Sequence, residues 1–390
     1  MHIMTLSLLG RQRHMKKILG VLLAFSLLCP ACFAADVPSV SAASVILVDA
    51  GSGRILYEKD AYTQRSIAST TKLMTALVAV ESTPDLSKVI TISAEHWVEG
   101  TSMYLKPGEE ITLEELLYGL LLQSGNDAAM AIATGCAGEV ETFVGWMNQW
   151  AEELGMENTH FANPSGLDED GHYSTAYDMS LLAREVLENE ILREIVATKT
   201  ATKAGRSLKN HNKLLWQYEG CEGMKTGYTS EAGRTLVSCA RRGEQTLICV
   251  TLKDPNDWLD HASLFDYGFQ AFPLHLLARQ GKEYRALPVS GSILPLVQVE
   301  TAKEVVYPLA ANERVKVTVT LPQGVEAPVT VGMVAGKLTF SLNEEVIGET
   351  ELLYSAEIPK NTAEPSLLQR VRSYLSGEEQ TAFWERTFLF

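Results

Sequence analysis

The chain has 390 residues, enough to bury a sizeable core and to form two domains. Apolar residues make up 46% of the chain and charged residues 21%, which excludes a largely disordered protein. The formal net charge of −15 argues against nucleic acid as a partner.

The first 34 residues are typical of a secretory signal peptide. Four Arg and Lys residues lie between positions 11 and 17, before an apolar run at 18–29 that is too short to span a membrane comfortably. A small-residue cleavage site ends at Ala34, and Met15 is an alternative start. A lipoprotein signal is the weaker alternative. Removing the segment leaves a net charge of −19, because it holds four basic and no acidic residues. We therefore expect an exported protein.

The pattern of the mature chain indicates strands on either side of a helical block. The run SVILVDAGSGRILYEKDA at 44–61 predicts a hairpin, and a second hairpin is predicted at 234–254. Apolar spacing predicts helices at 69–80, 113–122, 128–133, 140–154, 176–187 and 261–272. This order favours an α+β domain.

From about Leu276 to about Ser355, short alternating runs between Gly and Pro breaks predict a small all-β domain. It carries no catalytic constellation, so we interpret it as a spacer or sandwich. After a polar linker, residues 365–376 predict a short basic amphipathic helix, followed by terminal aromatic residues. Such a helix can lie in a membrane interface, or it can pack on its own protein. The predicted domains are 35–275 and 276–358, with the linker and helix at 359–390.

Four cysteines remain outside the signal, and none has the spacing of a metal site. We expect no metal and no cofactor. Cys239 and Cys249 flank the predicted turn of the second hairpin. They could lie nearly opposite each other, which leaves a disulfide open in an exported chain. We favour buried small apolar side chains, the usual role of a free cysteine.

Three short motifs carry the chemistry. In IASTTKLMTAL, Ser69 and Lys72 lie three residues apart at a predicted helix start, so one helix face holds both side chains. Ser124-Gly125-Asn126 follows between two helices, and Lys225-Thr226-Gly227 precedes the second hairpin. Each motif alone is uninformative. Together and in this order they form the set S-x-x-K, S-x-N and K-T-G of penicillin-binding proteins and class A β-lactamases.

The sequence resembles the low-molecular-mass penicillin-binding proteins, the serine-type D-alanyl-D-alanine carboxypeptidases. The resemblance runs from about Ser44 to the C-terminus. It includes VDAGSGRILYEKDA, the three motifs, FANPSGLDEDGHYSTAYD, and the β-rich domain with its terminal helix. It implies a transpeptidase-like α+β domain of the β-lactamase and penicillin-binding type, a β-sandwich domain and an anchor at the membrane surface. The expected location is the extracytoplasmic face of a bacterial membrane, or the exterior as a secreted protein.

The implied reaction proceeds through an acyl-enzyme. Ser69 is expected to attack the bond between two D-alanines of a peptidoglycan stem peptide, and water then releases the acyl group. Lys72 is the expected base, because burial and the second cation Lys225 would lower its pKa. Ser124 would pass a proton to the leaving amine. A β-lactam is expected to acylate the same serine.

The remaining site residues are expected to bind the substrate. Asn126 would hold its backbone, while Lys225 and Thr226 suit its terminal carboxylate. Gly227 would let the strand approach closely. By resemblance, the N–H groups of Tyr228 and Ser69 form the oxyanion hole.

Two further residues depart from the family pattern, and two others have expected structural roles. His211 stands where many relatives have an arginine, and it would either bind the substrate carboxylate or pack in a loop. Arg234 occupies a place expected to be small or apolar. Both changes bear on substrate preference. His172 is expected to be structural, and Asp127 to cap the following helix.

Other functions share these motifs. A class A β-lactamase should carry a Glu on the loop between the second and third motifs, and Glu169 lacks the expected surrounding pattern. A D,D-endopeptidase or transpeptidase differs only in the bond or the acyl acceptor. A non-catalytic scaffold would have no need of Lys72.

Overall fold

The structure is a computed structural model that describes residues 36–361. The predicted signal and the predicted terminal helix lie outside these residues. Within residues 36–361, no helix has both the length and the apolar character needed to cross a bilayer.

The strands are numbered here in chain order. They are β1 (Ser44–Asp49), β2 (Ile55–Lys59), β3 (Val89–Thr91), β4 (Glu110–Thr112), β5 (Thr200–Lys203), β6 (Arg206–Lys209), β7 (Cys221–Thr229), β8 (Gly233–Arg242), β9 (Gln245–Leu252), β10 (Leu274–Ala278), β11 (Glu283–Ser290), β12 (Leu296–Thr301), β13 (Val305–Pro308), β14 (Lys316–Thr320), β15 (Val325–Glu326), β16 (Val334–Leu342) and β17 (Glu345–Tyr354).

The helices are numbered in the same way. They are α1 (Lys72–Ser82), α2 (Leu113–Leu122), α3 (Asn126–Ala137), α4 (Val140–Glu153), α5 (Ala176–Glu188), α6 (Glu190–Ala197), α7 (Leu214–Gln217) and α8 (Asp257–Ala271). A 3₁₀ turn at Ala68–Thr71 leads directly into α1.

The first domain is built on a five-stranded antiparallel sheet with the order β2-β1-β9-β8-β7. Both predicted hairpins are present in it, as β1–β2 and β8–β9. The larger core lies on one face of the sheet, among α1 to α6. A smaller core, the α8 core, lies on the other face and includes Leu264 and Phe265 of α8. The strand β7, which carries the third motif, is at the edge of the sheet.

Local sequence explains several helix ends. Thr112 caps α2 in a capping box with Glu115, whose backbone N–H donates to the Thr112 hydroxyl. The last predicted helix begins four residues earlier than expected, at Asp257. Asp257 and Asp260 lie in its first turn, where carboxylates stabilise a helix N-terminus.

The two central cysteines are free and buried, as the sequence favoured. The hairpin register pairs Ser238 with Cys249 and Cys239 with Ile248. Because side chains alternate along a strand, Cys239 faces the larger core and Cys249 faces the α8 core.

The second domain is a small β-sandwich. Its six-stranded sheet has the order β14-β16-β17-β12-β11-β15, and β10 pairs with β13 in a second sheet. The strand β10 begins two residues before the predicted domain boundary. The core of this second domain includes Val299, Phe340 and Leu352.

One arginine joins the two domains. Arg54 Nη1 donates to the carbonyl of Pro308 at 2.6 Å and to Glu313 at 2.8 Å. Its guanidinium also lies 5.1 Å from the ring centre of Phe272. The Arg54 and Glu313 side chains are only 14% and 18% exposed, so this contact is shielded from solvent.

Candidate active site

The first motif brings the proposed nucleophile and base into contact. The 3₁₀ turn holds Ser69, and α1 begins at Lys72. Lys72 Nζ lies 2.9 Å from Ser69 Oγ, as the spacing of the motif predicts. Lys72 is fully buried, while Ser69 lines an open cleft of about 480 Å³.

The environment of Lys72 favours a neutral amine. Its Nζ contacts three oxygens: Ser69 Oγ, Asn126 Oδ1 at 2.7 Å and the Ser165 carbonyl at 2.5 Å. An ammonium would donate to all three. A neutral amine keeps two donors for Asn126 and Ser165 and can accept the Ser69 proton with its lone pair. Burial, and next the charge of Lys225, hold the pKa of Lys72 well below its usual value.

The second motif lies between α2 and α3. Ser124 is buried and has a φ of +61°, an unusual backbone conformation for a residue other than glycine. Its Oγ accepts from Lys225 Nζ at 3.0 Å. This contact joins residues 101 positions apart, so the second and third motifs meet only in the folded domain.

Lys225 is also fully enclosed. It is 1% exposed, and its Nζ donates to the Thr226 carbonyl at 2.7 Å. Burial lowers the pKa of Lys225 to about 7. Two buried amines of weakened basicity therefore flank the Ser69 and Ser124 hydroxyls.

The edge strand β7 passes close to the nucleophile because Gly227 has no side chain. A Cβ placed on Gly227 would lie 3.0 Å from the Ser69 backbone nitrogen and would collide with Thr235 Oγ1. Thr235 lies directly opposite Gly227 in the sheet, and its hydroxyl donates to the Ile67 carbonyl at 3.1 Å. Tyr228, next in the strand, lines the cleft and is 70% exposed.

Asn126 links the base to a loop at the mouth of the cleft. Its Oδ1 accepts from Lys72, and its Nδ2 donates to the Glu99 carbonyl at 2.6 Å. Its backbone N–H donates to the Thr101 carbonyl at 2.8 Å. This geometry fixes the orientation of the amide, one end on the base and the other on the loop.

Asp127 is the second residue of α3, and its Oδ1 accepts from the Ala128 backbone N–H in the first turn at 2.9 Å, although Gly125 holds the N-cap position. Its carboxylate also accepts from the backbone N–H groups of Met103 and Leu105, both at 3.0 Å, and from the Ser102 hydroxyl at 2.6 Å. Asp127 therefore fastens the loop to the second motif. The contact with the first turn of α3 agrees with the expected role, while the contacts with the loop depend on tertiary structure, which the sequence does not reveal.

The segment 163–172 closes the site from a third side. Gly166 approaches the turn before Ser69 so closely that a Cβ would collide with the Ala68 carbonyl. His172 is buried, and its Nε2 lies 2.8 Å from Thr71 Oγ1. Burial lowers the pKa of His172 to about 4, so its imidazole is neutral near pH 7. Glu169 lines a neighbouring depression and not the cleft that contains Ser69.

His211 lines the cleft, beside Lys213 and Thr226. Burial, and then the charge of Lys225, lower the pKa of His211. The structure thus brings all nine predicted site residues to one cleft or its buried wall.

Sequence reasoning missed two kinds of contact. The Ser165 carbonyl binds Lys72, but a backbone group leaves no signal in residue identity. Asp257 and Trp258 also line the cleft, where Asp257 pairs with Arg234. Arg234 was noticed only as a departure from relatives, and nothing in the sequence pointed to its partner.

Comparisons with known proteins identify the family. Residues 31–256 match the family model of D-alanyl-D-alanine carboxypeptidase, which is more than half of the chain. The chain belongs to the D-alanyl-D-alanine carboxypeptidase family. Residues 272–360 match the C-terminal domain of penicillin-binding protein 5.

This carboxypeptidase matches individual relatives over most of its own length and over most of theirs. The chain is 32% identical to the D-alanyl-D-alanine carboxypeptidase DacF of Bacillus subtilis, over 82% of this chain and 86% of that protein. It is 33% identical to the D-alanyl-D-alanine carboxypeptidase DacA of Escherichia coli, over 83% of this chain and 85% of that protein. Its structure resembles penicillin-binding protein 5 of Haemophilus influenzae with a TM-score of 0.68 and 28% identity, covering 83% and 99% of the chains.

Proposed function

We propose that this carboxypeptidase removes the terminal D-alanine from peptidoglycan stem peptides through an acyl-enzyme on Ser69. Lys72 in its neutral form takes the Ser69 proton while Oγ bonds to the carbonyl carbon of the penultimate D-alanine. The developing oxyanion is bound by the backbone N–H groups of Ser69 and Tyr228.

Breakdown of this intermediate needs a proton on the leaving nitrogen. Lys72 returns the proton, and Ser124 relays it to the amine as the C–N bond breaks. Lys225, 3.0 Å from Ser124 Oγ, orients that hydroxyl. Water then attacks the ester carbonyl, and Lys72 accepts the water proton. Lys72 passes that proton to Ser69 Oγ as the acyl C–O bond breaks, so the shortened peptide leaves as a carboxylic acid and Ser69 regains its hydroxyl.

The substrate's free carboxylate distinguishes a carboxypeptidase from other peptidases. Thr226 and His211 line the cleft and would receive it, together with the buried Lys225, which donates to the Thr226 carbonyl. Asn126, which also lines the cleft, holds the peptide backbone. Among residues 36–361, Asp257 is the one carboxylate that lines the cleft, and Arg234 engages it. A β-lactamase would need a free carboxylate there to activate water, so this lining favours the carboxypeptidase.

The observation that carries the proposal is the contact of the fully buried Lys72 with Ser69 Oγ at 2.9 Å. Burial of an amine against a hydroxyl is unfavourable unless it serves that hydroxyl's chemistry or its partners compensate. A scaffold protein would gain nothing specific from it.

Intact-mass spectrometry after mixing with benzylpenicillin tests the nucleophile. We expect one stable adduct on the wild-type protein and none on Ser69→Ala. Ser66→Ala is the matched control, because Ser66 lies three residues away and contacts Glu231 instead of Lys72. The same preparations are then given a peptide ending in D-Ala-D-Ala and assayed for D-alanine.

The outcomes separate the alternatives. An adduct with D-alanine release supports the carboxypeptidase. An adduct without release indicates transpeptidation or endopeptidase activity. Rapid turnover of penicillin indicates a β-lactamase, and no adduct at all indicates a scaffold.

The proposed place of action is the outer face of the cytoplasmic membrane. It rests on the predicted signal at 1–34 and the predicted amphipathic helix at 365–376, with the β-sandwich at 276–358 as the spacer from the catalytic domain at 35–275. Binding of the full mature chain and of a chain ending at residue 361 to anionic lipid vesicles tests it. Equal binding by both would contradict the anchor.

A further inference from the structure

The wall of the cleft beside Thr226 is cationic, although the chain as a whole carries a net charge of −15. Lys213 and Arg234 line it, and the buried Lys225 donates to the carbonyl of Thr226, which also lines it. Asp257 is the one carboxylate among the described residues of the lining, and Arg234 neutralises it. Such a wall is suited to an anionic group of the substrate.

Arg234 is held rigidly at this position. Its Nε and Nη2 donate to Asp257, with Nη2 at 2.7 Å and 2.8 Å from the two carboxylate oxygens. Its guanidinium lies 5.3 Å from the ring centre of Trp258, in the range of a cation–π contact. Asp257 is 3% exposed, so the holding group is itself immobile. A cation fixed in this way loses little conformational entropy when it binds a ligand.

The ion pair with Asp257 leaves Nη1 of the Arg234 guanidinium available to bind a ligand. Across residues 36–361, no hydrogen bond involves Nη1 of Arg234, which carries two N–H donors. The side chain is 41% exposed, and it shares the cleft lining with Thr226. In the sheet, Arg234 lies directly opposite Tyr228, two residues beyond Thr226, so both strands present this region to the cleft.

We infer that Arg234, oriented by Asp257 and Trp258, is a specificity-determining residue that binds the terminal carboxylate of the substrate. This inference rests on the proposed function. Arg234 would act beside Lys225 and Thr226, in a site where His211 stands in place of an arginine. An arginine at 234 keeps its charge at every relevant pH, whereas a histidine with a lowered pKa is neutral at pH 7.

The test compares two substrates that differ only in this carboxylate. One is an acetylated peptide ending in D-Ala-D-Ala as the free acid, and the other is the same peptide with a C-terminal carboxamide. We expect Arg234→Gln to lower kcat/KM for the acid about tenfold or more, the factor for a lost charge-assisted hydrogen bond. The value of kcat/KM for the carboxamide should change less than about threefold, because a neutral C-terminus gains little from a nearby cation.

Two further variants make the comparison specific. Arg241→Gln is the matched control, since Arg241 lies on the same strand, is also 41% exposed and pairs with Glu222 away from the cleft. It should keep the wild-type preference for the acid. Arg234→Gln combined with Asp257→Asn removes the buried carboxylate that the single variant leaves unpaired. It keeps the test valid if Arg234→Gln alone does not fold.

The outcomes distinguish the inference from the function on which it rests. Suppose that the wild-type protein releases D-alanine, but the Arg234 variants keep its preference for the acid or show an equal fall in kcat/KM for both substrates. Arg234 is then structural, and the inference is overturned. If the wild-type protein releases neither D-alanine from the acid nor D-alaninamide from the carboxamide, the proposed function itself is overturned.

Discussion

The substitution Gly227→Ala tests whether the edge strand must lie against the nucleophile. The added methyl would sit 3.0 Å from the Ser69 backbone nitrogen and 3.1 Å from Ala68 Cβ, and it would collide with Thr235 Oγ1. None of these atoms is the end of a long flexible side chain. Relief of the overlap therefore requires β7 to move away from Ser69.

Two effects of known size follow from this movement. Overpacking of a well-packed site costs about 1–3 kcal/mol of folding free energy. Displacement of β7 also disturbs the oxyanion hole, where loss of one donor slows catalysis by about 10²–10³-fold. We expect Gly227→Ala to fold with a lowered Tm and to react with benzylpenicillin at least about a hundredfold more slowly.

The assay follows the Ser69 adduct over time by intact-mass spectrometry, with thermal unfolding of the same samples. Gly145→Ala is the control, because Gly145 lies in α4 and a Cβ there meets no atom within 4 Å. It should raise stability by about 0.5–1 kcal/mol and leave acylation unchanged. Acylation of Gly227→Ala at the wild-type rate would refute the reasoning, because the strand would then not need to approach Ser69.

Three more predictions concern charges. Lys225→Gln removes a cation that lowers the pKa of Lys72, so the acid limb of the pH profile of penicillin acylation should move to higher pH; an unmoved limb would show that burial alone sets this pKa. Burial raises the pKa of Asp254 to about 6, so its contribution to stability is present below pH 4 and lost as pH rises through 6. Asp254→Asn should therefore lose less stability between pH 4 and pH 8 than the wild type in urea unfolding, and identical pH dependence would contradict this. Arg54→Gln leaves the shielded Glu313 without its ion-pair partner, so calorimetry should show a lower Tm while D-alanine release is retained; an unchanged Tm would mean that the contact between the domains adds no stability.

The sequence predicted those features that depend on neighbours along the chain. The contact of Ser69 with Lys72 follows from their spacing at a helix start, since residues three apart share a helix face. The hairpin β8–β9 follows from alternation around a turn. The helix predicted at 128–133 was too short, because the small and polar residues at its ends carry no periodic signal.

The tertiary structure decided every contact between distant segments. Alternation in the sheet separates Cys239 and Cys249 onto opposite faces, although the turn brings them close along the chain. Asp127 binds a loop in addition to the first turn of its own helix, because the fold brings two backbone N–H groups of that loop to its carboxylate.

By itself, the sequence determined the motifs, their order and the local geometry of the nucleophile, because these depend on residue type and spacing. Only the tertiary structure brought Lys225 to Ser124 and Asp257 to Arg234. It also enclosed Lys72 completely, and this burial weakens the basicity of the amine. The physical reason is that burial and electrostatic coupling depend on distance in space, which a chain acquires only when its separate segments pack together.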